Sequence, residues 1–144
     1  MKRFLVLLVE DNPDHAELIR AIVESPERDR HVTAVTSGEA ALDYLAAAAE
    51  GRAEQPDLVL LDVNMAGING FDVLRRAKKD LGLLTPIVVL STSSAPVDIE
   101  TAMSANANSY TVKSSDYARM ELDLERLSDY WAEVNRGPVA TVEA

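Results

Sequence analysis

Glu10, Asp11, Asp62, Ser91 and Lys113 are the residues of this sequence that could do chemistry together, because each group directly follows a short apolar run. Taken singly they are ordinary. Glu10 and Asp11 could complement a helix N-terminus, Asp62 could cap the turn before Asn69-Gly70, Ser91 could end a strand and Lys113 could sit in solvent. Taken together they are not, since independent surface residues have no reason to fall in this combination at the ends of adjacent strands. Three gathered carboxylates repel one another unless a cation compensates, and oxygen donors without His or Cys select a hard ion such as Mg²⁺. Such an ion keeps several waters and is completed by phosphate oxygens, while Lys113 and the Ser91 hydroxyl could take the remaining ones. The set has the parts for phosphoryl transfer to a carboxylate.

For these side chains to meet, the apolar runs before them must lie side by side. The runs are residues 4–9, 31–35, 58–61, 87–90 and 110–112. Each is too short for a helix, and the near-continuous apolarity of the first, third and fourth predicts central strands covered on both faces. Segments of helical period lie between and after them, over roughly 13–24, 38–49, 70–80, 96–106 and 116–135. Asn12 with Pro13 caps the first, and Asp116 or Ser115 the last. Five strands alternating with five helices predict a doubly wound α/β fold on a five-stranded parallel sheet. In such a sheet the functional crevice lies outside the C-terminal strand ends, where the five polar residues stand.

With 144 residues and 47% apolar residues, the chain has material for one core. Its 24 acidic and 14 basic residues give a net charge of −10, which opposes attraction to phosphate backbones or anionic lipid, so neither nucleic acid nor membrane is expected as a partner. The absence of cysteine excludes disulfides and thiolate metal sites and suits a reducing compartment. The opening Met-Lys-Arg and six apolar residues are too short for a signal peptide, and no run approaches a membrane span, so a cytoplasmic protein is expected. From about Arg136 the pattern ends, and Gly137-Pro138 introduces a short tail; a domain over 1–135 and a tail over 136–144 are expected.

The stretches Leu8-Val9-Glu10-Asp11-Asn12, Leu60-Leu61-Asp62-Val63-Asn64-Met65, Asn69-Gly70-Phe71, Val89-Leu90-Ser91-Thr92-Ser93 and Tyr110-Thr111-Val112-Lys113 resemble the receiver domains of bacterial two-component response regulators, in order and spacing. The resemblance covers about residues 4–135 and implies a flavodoxin-like strand order 2-1-3-4-5. It implies that Asp62 is the phosphoacceptor, that Asp11 ligates Mg²⁺ directly and that Glu10 does so through water. Asn64 would offer its backbone carbonyl to the metal, with its side chain where the family tunes the phosphoryl lifetime. Ser91 would be the switch hydroxyl, Lys113 the ammonium that pairs with the phosphoryl group, and Tyr110 the switch aromatic. An edge-strand tyrosine half packed against the sheet is the plainer reading of Tyr110. Two departures bear on loop geometry: Ser114 follows Lys113 where many receivers have proline, and Ala66 stands where proline is common.

Lys113-Ser114, the run from Leu90 to Ser94, and Tyr130-Trp131 are most similar to the small response regulators that partner bacterial phytochromes. That resemblance implies a phytochrome-type sensor histidine kinase as donor. Few residues follow the last helix, so a single-domain regulator acting through protein contacts is expected, one that catalyses only its own phosphorylation and dephosphorylation. Met120, Leu124, Leu127, Trp131 and Val134 form a stripe suited to a core face or to a helix-pairing face. Tyr130 and Trp131 are consecutive and cannot both face the core, so an exposed aromatic pair is expected. Similar phytochrome partners dimerise through the fourth and fifth helices and the fifth strand, which implies a homodimer using Tyr110, Tyr130, Trp131 and the tail.

Three other functions compete. Haloacid-dehalogenase phosphatases also use Mg²⁺ and a strand-end Asp, but their nucleophile follows the first strand and has a second Asp two residues on, where Asp62 has Asn64. A flavin site would need a hydroxyl- and glycine-rich loop where Glu10-Asp11 would repel phosphate. A constitutive adaptor would not need the intact acidic cluster and Lys113.

Overall fold

The apolar runs form five parallel strands, β1 (Phe4–Val9), β2 (Arg30–Val35), β3 (Leu58–Asp62), β4 (Ile87–Ser91) and β5 (Ser109–Val112), in the order β2-β1-β3-β4-β5. This is the expected doubly wound sheet, with the first, third and fourth runs central. The computed structural model describes residues 3–135 apart from Ala66 and Ile68; the expected tail, 136–144, lies outside the described residues, as does Ala66. Two strands are longer at the end that matters, since Asp62 and Ser91 belong to β3 and β4 rather than following them.

Alternation along each strand splits the core in two. Leu7, Val9, Val59, Leu61, Ile87 and Val89 face one side, where they meet Ala41, Leu45, Val73, Leu74 and Ala102. Those partners belong to α2 (Gly38–Ala49), α3 (Gly70–Arg75) and α4 (Pro96–Ser104). Val6, Leu8, Leu58, Leu60, Val88 and Leu90 face the other side, against Ala16, Ile19 and Val23 of α1 (Pro13–Val23) and Leu124 of α5 (Tyr117–Asp129). Each of the fully buried leucines contributes about 1.5–3 kcal/mol by leaving water. The result is a rigid frame whose central strands deliver three polar residues to one rim.

The helix starts follow the expected chemistry. The Asn12 side chain accepts from the backbone N–H groups of Asp14 and His15, with Pro13 at the first helical position, and Asp116 caps α5 by accepting from Ala118. Two helices end differently from expectation. The 70–80 segment is α-helical to Arg75 and then widens into a π-turn over Arg76–Asp80, and α5 widens likewise over Tyr130–Val134. In each the closing bond spans five residues, Leu81 N–H to the Arg76 carbonyl and Asn135 N–H to that of Tyr130.

The exposed aromatic pair needs correction. Trp131 packs partly buried against the α1–α5 core, and Tyr130 alone is turned out, 47% exposed, meeting Trp131 edge to face at 5.3 Å between ring centroids. Leu124, Leu127 and Trp131 share the inward stripe at spacings of three and four, so the neighbouring Tyr130 must point away. Val134, expected on that stripe, is 63% exposed because the chain leaves the core there.

Candidate functional site

β1, β3 and β5 end at one rim, and their last or next residues converge. Glu10, Asp11 and Asp62 each offer a carboxylate oxygen, and these oxygens lie within 4.8 Å of one another. Lys113, just beyond β5, reaches back across β3: its ammonium donates to Glu10 Oε1 at 2.8 Å and to Asp62 Oδ2 at 3.2 Å. Its backbone N–H donates to the Ser91 carbonyl at 2.7 Å, which fixes the base of that reach.

Glu10 carries the electrostatic tension. Its side chain is 1% exposed, so burial raises its carboxyl above the usual carboxylate range. The neighbouring Asp62 raises it further, while the Lys113 ammonium opposes both. One ammonium between two buried carboxylates leaves net negative charge. All the candidate ligand atoms are oxygens within a span that one small divalent cation could bridge, so the set fits a hard ion. Glu10, Asp11 and Asp62 would hold it and Lys113 would be displaced from its double pairing.

Ser91, at the end of β4, is buried, and its Oγ accepts from the Asn64 side-chain amide at 3.3 Å and from the Ser93 backbone N–H at 3.0 Å. With both lone pairs engaged, its proton is left to donate. Asn64 is tied to the cluster by its own N–H, which donates to Asp62 Oδ1 at 2.8 Å. Behind this turn, α3 begins so close to β3 that a Cβ at Gly70 would fall 2.3 Å from Val63 Cα and 2.9 Å from the Asp62 carbonyl. Only glycine fits there.

Residues 6–125 match the family described as the response regulator receiver domain. The chain belongs to that family. The probable methanogenesis regulatory protein FilR2 of Methanothrix harundinacea is 36% identical over 136 residues, covering 94% of this chain and 88% of FilR2. Response regulator Rcp1 of a Synechocystis strain is 28% identical over 138 residues, 94% of each chain, and the Mn²⁺-bound form of Rcp1 has a similar structure, with a TM-score of 0.83. The phosphorylated cyanobacterial phytochrome response regulator RcpA is similar with a TM-score of 0.88 and 30% identity, over 96% of this receiver and 100% of RcpA.

The receiver brings together the five residues singled out from the sequence, with Asn64 beside them. Ser114, standing where proline is common, uses its hydroxyl to accept from Asp116 N–H at 3.1 Å and so shapes the turn into α5. Tyr110 does not reach the carboxylates: it packs partly buried against the α2–α4 core, and its hydroxyl donates to the Ser93 carbonyl at 2.9 Å. Tyr130 and Trp131 lie at the opposite end of the sheet, where Asp129 pairs with Arg30 at the start of β2. Three participants went unread. His15 Nδ1 lies 3.9 Å from Glu10 Oε1, Gly70 permits the approach of α3, and Ser93 bonds in three directions. The Asn12-Pro13 cap, which starts a helix at Pro13 and so brings His15 back over the rim, is the signal that could have placed His15.

Proposed function

We propose that Asp62 accepts a phosphoryl group from a sensor histidine kinase in a Mg²⁺-dependent relay, and that the phosphorylated state is read through contacts with other proteins. The observation that carries this reading is the convergence of Glu10, Asp11 and Asp62 on one rim with the Lys113 ammonium 3.2 Å from Asp62 Oδ2. An Asp62 carboxylate oxygen attacks phosphorus, the bond from phosphorus to the donor imidazole nitrogen breaks, and the imidazole keeps the electron pair and takes a proton. Lys113, relieved of Glu10, pairs with the phosphoryl oxygens, and the Ser91 O–H donates to another. Bound Mg²⁺, held by Glu10, Asp11, Asp62 and the Asn64 carbonyl, would neutralise charge on the transferring group.

A cleft of about 460 Å³, lined by His15, Leu18, Thr92 and Tyr117, adjoins the site at Lys113 and offers a donor protein a concave surface to dock on. The likeness to RcpA supports a phytochrome-type kinase as that donor, and the same reading has the relay run in the cytoplasm with residues 1–135 as the acting unit. A homodimer using Tyr110, Tyr130 and Trp131 belongs to the same reading, and the net charge of −10 weighs against direct contact with nucleic acid.

Acetyl phosphate with Mg²⁺ tests the chemistry without the kinase. Stoichiometric labelling of the native chain, lost in Asp62→Asn and on chelation, is the expected result. A native chain that stays unlabelled while a known receiver labels alongside it, or many turnovers of a small phosphomonoester, would overturn it.

A further inference from the structure

Ser93 spends every polar group it has on a different element. Its N–H donates to the Ser91 hydroxyl at 3.0 Å, its carbonyl accepts from the Tyr110 hydroxyl at 2.9 Å, and its own hydroxyl donates to Asp98 Oδ2 at 2.5 Å while accepting from Ala95 N–H at 3.2 Å. Asp98 stands in the first turn of α4. One loop residue thus connects the end of β4, the start of α4 and β5.

Such an arrangement couples its parts. The Ser91 hydroxyl has both lone pairs taken by the Asn64 amide and the Ser93 N–H. Any change in its orientation releases one of these donors, and of the two the Ser93 N–H, on a half-buried residue, is the one that must find another acceptor. Ser93 then has to move, and Asp98 is the side chain that resists or follows. The bond to Asp98 is charge-assisted and short, so it is the firmest of the four. No other side chain bridges the loop and α4 in this way among the described residues.

We propose that the Ser93 side chain couples the first turn of α4 to the phosphorylation state of Asp62, without taking part in the transfer itself. Its main-chain N–H holds the Ser91 hydroxyl, and its own hydroxyl, through Asp98, makes the first turn of α4 answer to the orientation of that group. This rests on the reading of Asp62 as phosphoacceptor. The Tyr110 contact runs through the Ser93 main chain and survives removal of the side chain, so the Asp98 link can be tested apart from it.

The experiment measures amide hydrogen exchange over residues 93–100, with and without acetyl phosphate and Mg²⁺, alongside the stoichiometry of labelling. The native chain is expected to label and to change its exchange in this segment several-fold. Ser93→Ala and Asp98→Ala are expected to label fully but lose most of that change, the double variant to behave as either single one, and Ser93→Thr to restore it. Asp98→Ala breaks the same bond from the helix side, so the outcome does not depend on one variant's fold. A labelled Ser93→Ala chain that changes exchange as the native chain does would overturn the proposal, as would a labelled native chain whose α4 exchange is unmoved. Failure of the native chain to label sinks instead the reading of Asp62 on which it rests.

Discussion

Glu10 shows how a single residue ties stability to function in this site. Its folded carboxyl titrates above its ordinary value of 4.5, chiefly through burial. A raised folded pKa means that the native state holds the proton more tightly than the unfolded chain does. Glu10 therefore contributes its full stabilisation below about 4.5 and loses it as pH rises through the folded value, by about 1.4 kcal/mol for each unit between the two. Metal binding has the opposite sign, because the ion needs the carboxylate. Urea denaturation with chelator present should show Glu10→Gln gaining stability relative to the native chain as pH rises from 4.5 toward 7, and saturating Mg²⁺ should narrow or reverse that gain. A gap that is flat with pH would mean that Glu10 is not the strained group. Gly70 is the second such residue. A methyl there meets backbone rather than a yielding side chain, so Gly70→Ala should cost about 1–3 kcal/mol in thermal or urea unfolding and slow the labelling of Asp62 by moving the turn that carries Asn64.

Among the elements, the edge strand β2 shows a device that the sequence pattern conceals. Val32 directs its N–H and carbonyl away from β1, and α1 answers both: Arg20 donates to the Val32 carbonyl at 2.8 Å and Glu24 accepts from its N–H at 3.1 Å. Two side chains thus take the place of a sixth strand at that point. Replacing both, Arg20→Ala with Glu24→Ala, should leave the site intact but promote concentration-dependent association, detectable by light scattering; a double variant as monodisperse as the parent would show that the edge is protected otherwise. Nothing in the spacing of Arg20 and Glu24 distinguishes them from an ordinary surface pair at i and i+4. The strands themselves were readable because β1, β3 and β4 are unbroken apolar runs, and the rim residues because they interrupt those runs. The π-turns at Arg76–Asp80 and Tyr130–Val134 were not, since an inward stripe continues through them at spacings that a regular helix also gives. Ser93 was hidden for another reason: it lies in a run of four hydroxyl residues, and only the backbone path of the loop selects it.

The whole molecule carries −10, and that charge bears on how two copies could meet. Self-repulsion opposes association at low ionic strength, while an apolar contact between copies is little affected by salt. Tyr130, turned out at the end of α5, is the exposed aromatic of that helix end, and the turn presenting it is held by Arg30, whose buried guanidinium pairs with Asp129 at 2.8 Å and Glu133 at 3.1 Å. Trp131 beside it is partly core, so Trp131→Ala mixes two effects, loss of packing worth about 2–3 kcal/mol and any loss of contact between copies. Tyr130→Ala removes largely exposed surface and, from the fold itself, only the edge-to-face contact with Trp131, worth about 0.5–1.5 kcal/mol. Sedimentation equilibrium should therefore show a dimer that tightens as salt rises from about 0.05 to 0.3 M and weakens at least tenfold in Tyr130→Ala, with a smaller drop in melting temperature than in Trp131→Ala. If the tyrosine variant dimerises as the native chain does while Trp131→Ala merely melts earlier, the aromatic end of α5 serves the core and the copies meet elsewhere.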